Sequence, residues 1–221
     1  QSVSGNEEGT QTIILAGTDF DGDSLTYALA SNPSNGSATL SANVVTYTPM
    51  ANWSGSDSFT FTVSDSTVTS SAATVSISVA AVNDNPTLAD IGNQSITEGT
   101  PLMFSLSGSD VDGETLTYSV SGNPPGSSLS DSTFSWTPDY NQTGNYSVTF
   151  TVLDSQGGSD SETVTISVGD INRPPTMGAI ADQTVAEGAA LNLTLSATDL
   201  DLSDTLIFSI SGNPSNSSLS D

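Results

Sequence analysis

The strongest constraint on this chain is a repeat of about ninety residues. Gln94-Ser-Ile-Thr-Glu98-Gly returns as Gln183-Thr-Val-Ala-Glu187-Gly, 89 positions later. Ser109-Asp110-Val-Asp112-Gly returns as Thr198-Asp199-Leu-Asp201-Leu, and the stretch from Ser121 to Asp131 returns from Ser211 to Asp221. The first third is a more divergent copy. Asn6-Glu7-Glu8-Gly aligns with Thr97-Glu98-Gly, and Thr18-Asp19-Phe-Asp21-Gly22-Asp23 with Ser109 to Glu114. Thr48-Pro49 aligns with Thr137-Pro138, and Val82 to Pro86 with Ile171 to Pro175. Linkers near Asn83 and Asn172 therefore divide the chain into repeats over 1–82, 83–171 and 172–221. The first is expected to lack its N-terminal edge and the last to hold only the first half of a repeat.

Within each repeat the apolar period is two, the mark of half-buried strands. The middle repeat alternates at Leu102-Phe104-Leu106, Leu116-Tyr118-Val120, Phe134-Trp136, Val148-Phe150-Val152 and Val164-Ile166-Val168. The first does so at Leu25-Tyr27-Leu29, Phe59-Phe61-Val63 and Val75-Ile77-Val79, the third at Leu191-Leu193-Leu195 and Leu206-Phe208-Ile210. Turns rich in Gly, Asn, Asp and Pro separate the runs, and no helical period is sustained. About seven short strands in ~90 residues predict an all-β chain of tandem Ig-like antiparallel sandwiches. Trp136 is expected in the core.

Charge removes most chemistries. The chain carries 25 acidic residues and one basic residue, Arg173, for a formal charge of −24, with no His and no Cys. Disulfides, haem ligation and the usual zinc sites are excluded. So are Ser-His-Asp and Cys-His nucleophiles and Lys-based phosphate loops. Nucleic acid is excluded as a partner, because a polyanion needs Lys and Arg to displace its counterions. No apolar run reaches the ~20 residues of a membrane helix, and no signal peptide is visible in this segment. Paired carboxylates remain, but they fall at repeat junctions rather than in a cleft, so no enzymatic activity is expected.

The placement of the acids is the functional signal. Glu98 precedes Asp110 by 12 residues, as Glu187 precedes Asp199. The intervening strand of 7–8 residues spans roughly 25 Å, which puts the two acids at opposite ends of one sandwich. Asp154 is predicted at the Asp110 end and Asp139 at the Glu98 end. End-to-end stacking then gathers Glu8 (with Glu7 beside it), Asn83, Asp84, Asn85, Asp110, Asp112 and Asp154 at the first linker. It gathers Glu98, Asp139, Asp170, Asn172, Asp199 and Asp201 at the second. So many carboxylates without Lys require a hard cation with six to eight oxygen ligands, and Ca2+ suits an irregular shell better than Mg2+. Asp23, Glu114, Asp131 and Asp204 are read as turn and surface acids.

At these residues the array resembles cadherin-like repeats: Glu-Gly, then Asp-x-Asp, then Asp-x-Asn at the linker. In that family the Glu and the linker acids bind calcium together with the Asp-x-Asp of the next repeat, and the same roles are implied here. The first repeat, with Thr18-Asp-x-Asp-Gly-Asp-Ser-Leu-Thr-Tyr27 and Thr46-Tyr-Thr-Pro49, resembles bacterial cadherin-like tandem repeats. The others, with Ser135-Trp-Thr-Pro138 and Ile91-Gly-Asn-Gln-Ser-Ile-Thr-Glu98-Gly, resemble the dystroglycan-type or putative-Ig repeats of large bacterial surface adhesins. Three departures weaken the pattern: Ala81 stands where the second linker has Asp170, Met50 where the second repeat has Asp139, and Arg173 where the first linker has Asp84. One or two ions per junction are expected rather than three.

The expected function is a calcium-stabilised stalk segment of a secreted or cell-surface protein, whose partners are neighbouring repeats of the same chain. A second possibility is lateral assembly with other copies into an extracellular filament or sheath. A third is a carbohydrate-binding accessory module using Trp53 and Tyr140, which occupy corresponding loops. Asn-x-Ser/Thr sequons at Asn52, Asn93, Asn141, Asn145 and Asn192 carry little weight in so Ser/Thr-rich a chain.

Overall fold

The structure, a computed structural model, describes residues 1–201 and 204–219; Asp221, the end of the Ser211 match, lies outside them. No helix occurs among the described residues.

The first repeat contains β1 (Ser2–Asn6), β2 (Gln11–Ile14), β3 (Thr26–Ser31), β4 (Gly36–Ser41), β5 (Val44–Pro49), β6 (Gly55–Ser64) and β7 (Ala73–Ala80). They form two sheets, ordered β1-β7-β6-β3 and β2-β5-β4. β1 runs parallel to β7, with Ser2 opposite Ser76 and Asn6 opposite Ala80, whereas β6 and β7 are antiparallel. Period-two alternation turns one residue in two inward, so Ile13, Val45, Tyr47, Phe59, Phe61, Val75, Ile77 and Val79 form one buried cluster drawn from both sheets. Each large side chain so buried contributes about 1.5–3 kcal/mol before conformational entropy is deducted.

The second repeat contains β8 (Thr87–Leu88), β9 (Gln94–Thr97), β10 (Leu102–Ser105), β11 (Gly108–Ser109), β12 (Thr117–Ser121), β13 (Ser128–Ser130), β14 (Thr133–Trp136), β15 (Gly144–Leu153) and β16 (Ser159–Gly169). The sheets β9-β16-β15-β12 and β10-β14-β13 reproduce the first repeat strand for strand, and β8 and β11 add a two-stranded sheet. β9 is parallel to β16, as β1 is to β7. The rings of Phe104, Phe134 and Phe150 meet with centroids 5.2–5.5 Å apart. Trp136 is buried, packs edge-on to Tyr146, and donates its indole N–H to the Pro125 carbonyl at 3.2 Å. Ala42 and Asp131 hold the same place in the β4–β5 and β13–β14 hairpins, both at positive φ (53° and 52°). Asp131 is thus a turn residue, as its sequence suggests.

The third repeat departs from expectation. Among its described residues it forms β17 (Thr176–Met177) paired with β18 (Ala197–Thr198) and no other strand. The alternating runs at 191–195 and 206–210 are not strands, and Leu191, Leu193, Ile207 and Ile210 are exposed. An alternating run becomes a strand only where a partner supplies its hydrogen-bond ladder, and no partner strand flanks these runs among the described residues.

The chain divides into two compact units. One comprises Gln1–Thr87 with Gly108–Leu116 and Val152–Asp160; the other comprises Leu88–Ser107, Thr117–Thr151 and Ser161–Asp221. Each linker therefore lies inside one unit together with the acidic loops around it.

A buried carboxylate fastens the first sandwich. Asp57 Oδ1 accepts the Ser34 and Ser58 amides at 3.0 and 2.8 Å, and Oδ2 accepts the Asn35 amide and the Tyr47 hydroxyl at 2.9 and 3.0 Å. Burial alone would raise its pKa, but these four donors outweigh burial and hold it below the usual carboxylate range. Tyr47 is pushed up to about 12 by its own burial and by Asp57. A group with a lowered folded pKa gives stability that is present above its unfolded value, near 4, and lost as pH falls through the folded value. Asn at this position would turn an N–H toward donors at every pH. The urea midpoint of Asp57→Asn should therefore lie well below wild type at about pH 6, and the gap should close toward about pH 2. A gap independent of pH would contradict this role.

Candidate cation centres at the linkers

At the first linker, hydrogen bonds tie the linker to the Asp154 loop and to the Asp110 loop. Asn83 Nδ2 donates to Asp154 Oδ2 at 2.8 Å, and Asp154 Oδ1 accepts the amides of Gln156, Gly157 and Gly158 at 2.8, 2.6 and 2.8 Å. The Asn83 bond is the chief reason the Asp154 carboxyl lies below the usual range; burial works against it and the three amides reinforce it. Gly158 lines the same spot. A Cβ there would run into Asp154 Oδ2 and lie 2.7 Å from Asn85 Oδ1 and 3.0 Å from Asn83 Nδ2. Asp110 Oδ1 accepts the Asp112 amide at 2.8 Å, and Asp112 Oδ2 accepts the linker amide of Asp84 at 2.9 Å.

Two oxygens are left over. Asn83 Oδ1 and Asp110 Oδ2 are buried without a hydrogen-bond partner. An orphaned buried acceptor costs about 1–3 kcal/mol, and a cation is the ligand that satisfies acceptors only. Glu114, expected to be a surface acid, instead accepts the Ser155 amide and hydroxyl at 3.1 and 3.0 Å and the Gln156 amide group at 2.7 Å. It ties the Asp110 loop to the Asp154 loop.

Glu7, not Glu8, takes the inward position at the base of the first repeat. Glu7 is buried and Glu8 exposed. The Glu7 amide donates to Ala80 O at 3.1 Å, and Glu7 Oε1 accepts the linker amide of Val82 at 2.6 Å. In the second repeat the Glu98 amide donates to Gly169 O at 3.1 Å, and Glu98 Oε2 accepts the amide of Ile171 at 3.3 Å. The two glutamates are equivalent. Glu98 is 1% exposed, and its Oε1 is a third buried oxygen without a partner.

At the second linker, Asp199, Asp201 and Asp204 bring carboxylate oxygens within 4.8 Å of one another. Asp204 was expected to be a surface acid. A one-residue lengthening after Asp201, relative to Asp112-Gly-Glu114, hides its correspondence to Glu114. Asp199 Oδ1 accepts the Asp201 amide at 2.9 Å, as Asp110 accepts that of Asp112. The Arg173 amide donates to Asp201 Oδ2, which repeats the Asp84-to-Asp112 bond. That amide bond is the chief cause of Asp201's lowered pKa; burial opposes it, and the Arg173 guanidinium adds to it.

The outlying acids are less engaged. The loop of Asp139 lies at the Glu98 end, because the Gly99 amide donates to Pro138 O at 2.8 Å, but the Asp139 side chain is exposed. Asp170 and Asn172 are exposed too, and Asn172 Nδ2 turns to Arg173 O at 3.4 Å. Neither Asp139 nor Asp170 joins the Asp199–Asp201–Asp204 group. Trp53 packs against the first core, and Tyr140 is covered by the Arg173 guanidinium 4.5 Å from its ring centroid.

The equivalence of Glu7 and Glu98 is testable in chelator. Glu7→Ala should destabilise the first repeat by about 1–3 kcal/mol in urea melts, through loss of a buried charged acceptor. Glu8→Ala should stay within about 0.5 kcal/mol of wild type.

Comparison with known proteins agrees with this architecture. Among solved structures, human CDH23 EC21-23 aligns with a TM-score of 0.55 at 23% identity, covering 90% of this chain and 82% of that one. The extracellular cadherin domains 1–5 of protocadherin gamma B2 align with a TM-score of 0.58 at 16% identity, covering 90% and 44%. These likenesses show a shared fold. Integrin beta-like protein A of Dictyostelium discoideum is 29% identical over 253 residues, which is 95% of this chain and 13% of that protein. The family model of the bacterial Ig domain matches residues 1–78 and again residues 83–167, most of the chain in two successive copies, and the chain belongs to that family.

Proposed function

We propose that these repeats are a segment of an extended stalk in a secreted or cell-surface adhesin-type protein, with linkers stiffened by calcium. The observation that carries this reading is the set of buried, unpartnered oxygens at the linkers: Asn83 Oδ1, Asp110 Oδ2 and Glu98 Oε1. All are acceptors, all come from residues that bracket a linker, and the donor set is entirely oxygen, which is the preference of a hard cation. At the first linker, Asn83, Asp84, Asp110, Asp112, Asp154 and Glu7 would hold the ion. At the second, Glu98, Asp199, Asp201 and Asp204 would do so, with Asp139, Asp170 and Asn172 at its margin. The ion supplies positive charge and coordination that neutralise acids from successive repeats. The fold shared with cadherin domains supports the same reading.

The role is structural rather than catalytic. Asp57, Asp65, Asp154 and Asp201 are each held below the usual carboxylate range by hydrogen-bond donors, the state that suits fixed anionic acceptors.

Extracellular calcium sites of this type bind at about 0.1–1 mM. Titration calorimetry should show uptake of about one to two ions per linker in that range. Asp110→Ala with Asp112→Ala should abolish uptake at the first linker; undiminished stoichiometry in that variant would refute the assignment. Chelator should leave the β-sheet circular dichroism intact while changing the maximum dimension in small-angle scattering. An unchanged dimension would falsify stiffening by calcium.

A further inference from the structure

The one cation in the chain stands at a linker. Arg173 occupies the place of Asp84, and the main-chain equivalence is direct, since each donates its amide to the second Asp of the following Asp-x-Asp. The side chains diverge. The Arg173 guanidinium pairs with Asp201 Oδ1 through Nε at 2.8 Å and Nη2 at 2.6 Å, and Nη2 also donates to Tyr140 O at 3.1 Å. Its face lies over the Tyr140 ring. The Asp201 side chain is 1% exposed and that of Arg173 20%, so the pair is withdrawn from solvent.

We propose that Arg173 is a built-in substitute for one divalent ion, so that the Asn172 linker takes one ion fewer and keeps its backbone path when calcium is removed, while the path of the Asn83 linker depends on calcium. Exchanging Asp for Arg moves the local charge from −1 to +1, the same change as adding one divalent ion. The guanidinium also joins the three segments that such an ion would join: the Tyr140 loop, the linker, and the Asp-x-Asp loop beyond it. Arg suits the task because its planar fork engages a carboxylate at two points, stacks on an aromatic face and stays protonated at any physiological pH. The first linker has no counterpart. Asp84 adds negative charge there, and Asn83 Oδ1 and Asp110 Oδ2 remain without partners.

This inference rests on the calcium reading of the first linker, and the amides of Asp84 and Arg173 test the two claims separately. Each reports the acid it is bonded to, so its hydrogen exchange by NMR measures whether that linker is held. In the whole chain, chelator should speed exchange at Asp84 by about tenfold and leave Arg173 within about twofold. Arg173→Ala should speed exchange at residues 171 and 201 by about tenfold in chelator, and Arg173→Asp should bind about one further calcium by calorimetry. If chelator released both amides equally, the substitution by Arg173 would be overturned while the calcium reading stood. If chelator released neither and no calcium bound, the calcium reading would fall. The Arg173→Ala variant would then decide the rest: unchanged exchange would overturn the brace, and faster exchange would uphold it.

Discussion

Each linker is threaded between two carboxylates that accept its main-chain N–H groups. Glu7 takes the amide of Val82 and Asp112 that of Asp84; Glu98 takes the amide of Ile171 and Asp201 that of Arg173. The glutamate comes from the repeat before the linker and the aspartate from the loop after it. Two bonds two residues apart, one from each side, fix the path of the backbone through the junction. A carboxylate is the stronger acceptor for such an amide, because its bond is charge-assisted. The linker geometry thus obliges the protein to keep negative charges close together.

That obligation explains the composition near each linker. Carboxylates shed part of their charge into neighbouring amides, as Asp154 does with three successive N–H groups and Asp110 and Asp199 do with the amide two residues on. Such bonds orient one oxygen and leave the other facing the cluster. The leftover oxygens are those found buried and unpartnered at Asp110 and Glu98. Gly158 belongs to the same arrangement, because only a residue without Cβ leaves room for Asp154 and Asn85 to point inward together.

The sandwich and its repeat were legible because period-two alternation survives divergence. Val75-Ile77-Val79 and Val164-Ile166-Val168 announce the same strand, set in Thr-Val-Ser-Ile-Ser-Val and Thr-Val-Thr-Ile-Ser-Val. The acids were legible in kind and less so in address. Adjacent glutamates at 7 and 8 face opposite ways just past a strand, and only the ladder that pairs the Glu7 amide with Ala80 O decides which turns inward. Asp204 escaped because one extra residue breaks the spacing that marks Glu114, although a carboxylate three positions beyond Asp-x-Asp is a signal that could have been weighed. The strands expected at 191–195 and 206–210 failed for another reason: alternation states which face would be buried, and burial needs a second sheet. Asp139 and Asp170 sit where the repeat alignment puts them, yet long-range contact did not follow from position alone.

The difference between the two linkers follows from how positive charge can be supplied. A mobile ion binds only as tightly as its concentration allows, so a junction that relies on it responds to its surroundings. A guanidinium fixed to the linker is present at unit stoichiometry, gains affinity from being intramolecular, and cannot be removed by dilution. It also costs adaptability, since its fork matches one carboxylate while an ion can gather six or more oxygens from several directions. At Asn172 the guanidinium engages Asp201, the Tyr140 carbonyl and the Tyr140 ring. At Asn83 the acceptors are more numerous and include two amide side chains, a set that no single arginine could satisfy. Under the proposal that calcium stiffens the linkers, the identity of one residue, Asp84 or Arg173, decides whether a junction built on the same backbone scheme keeps its path when calcium is removed.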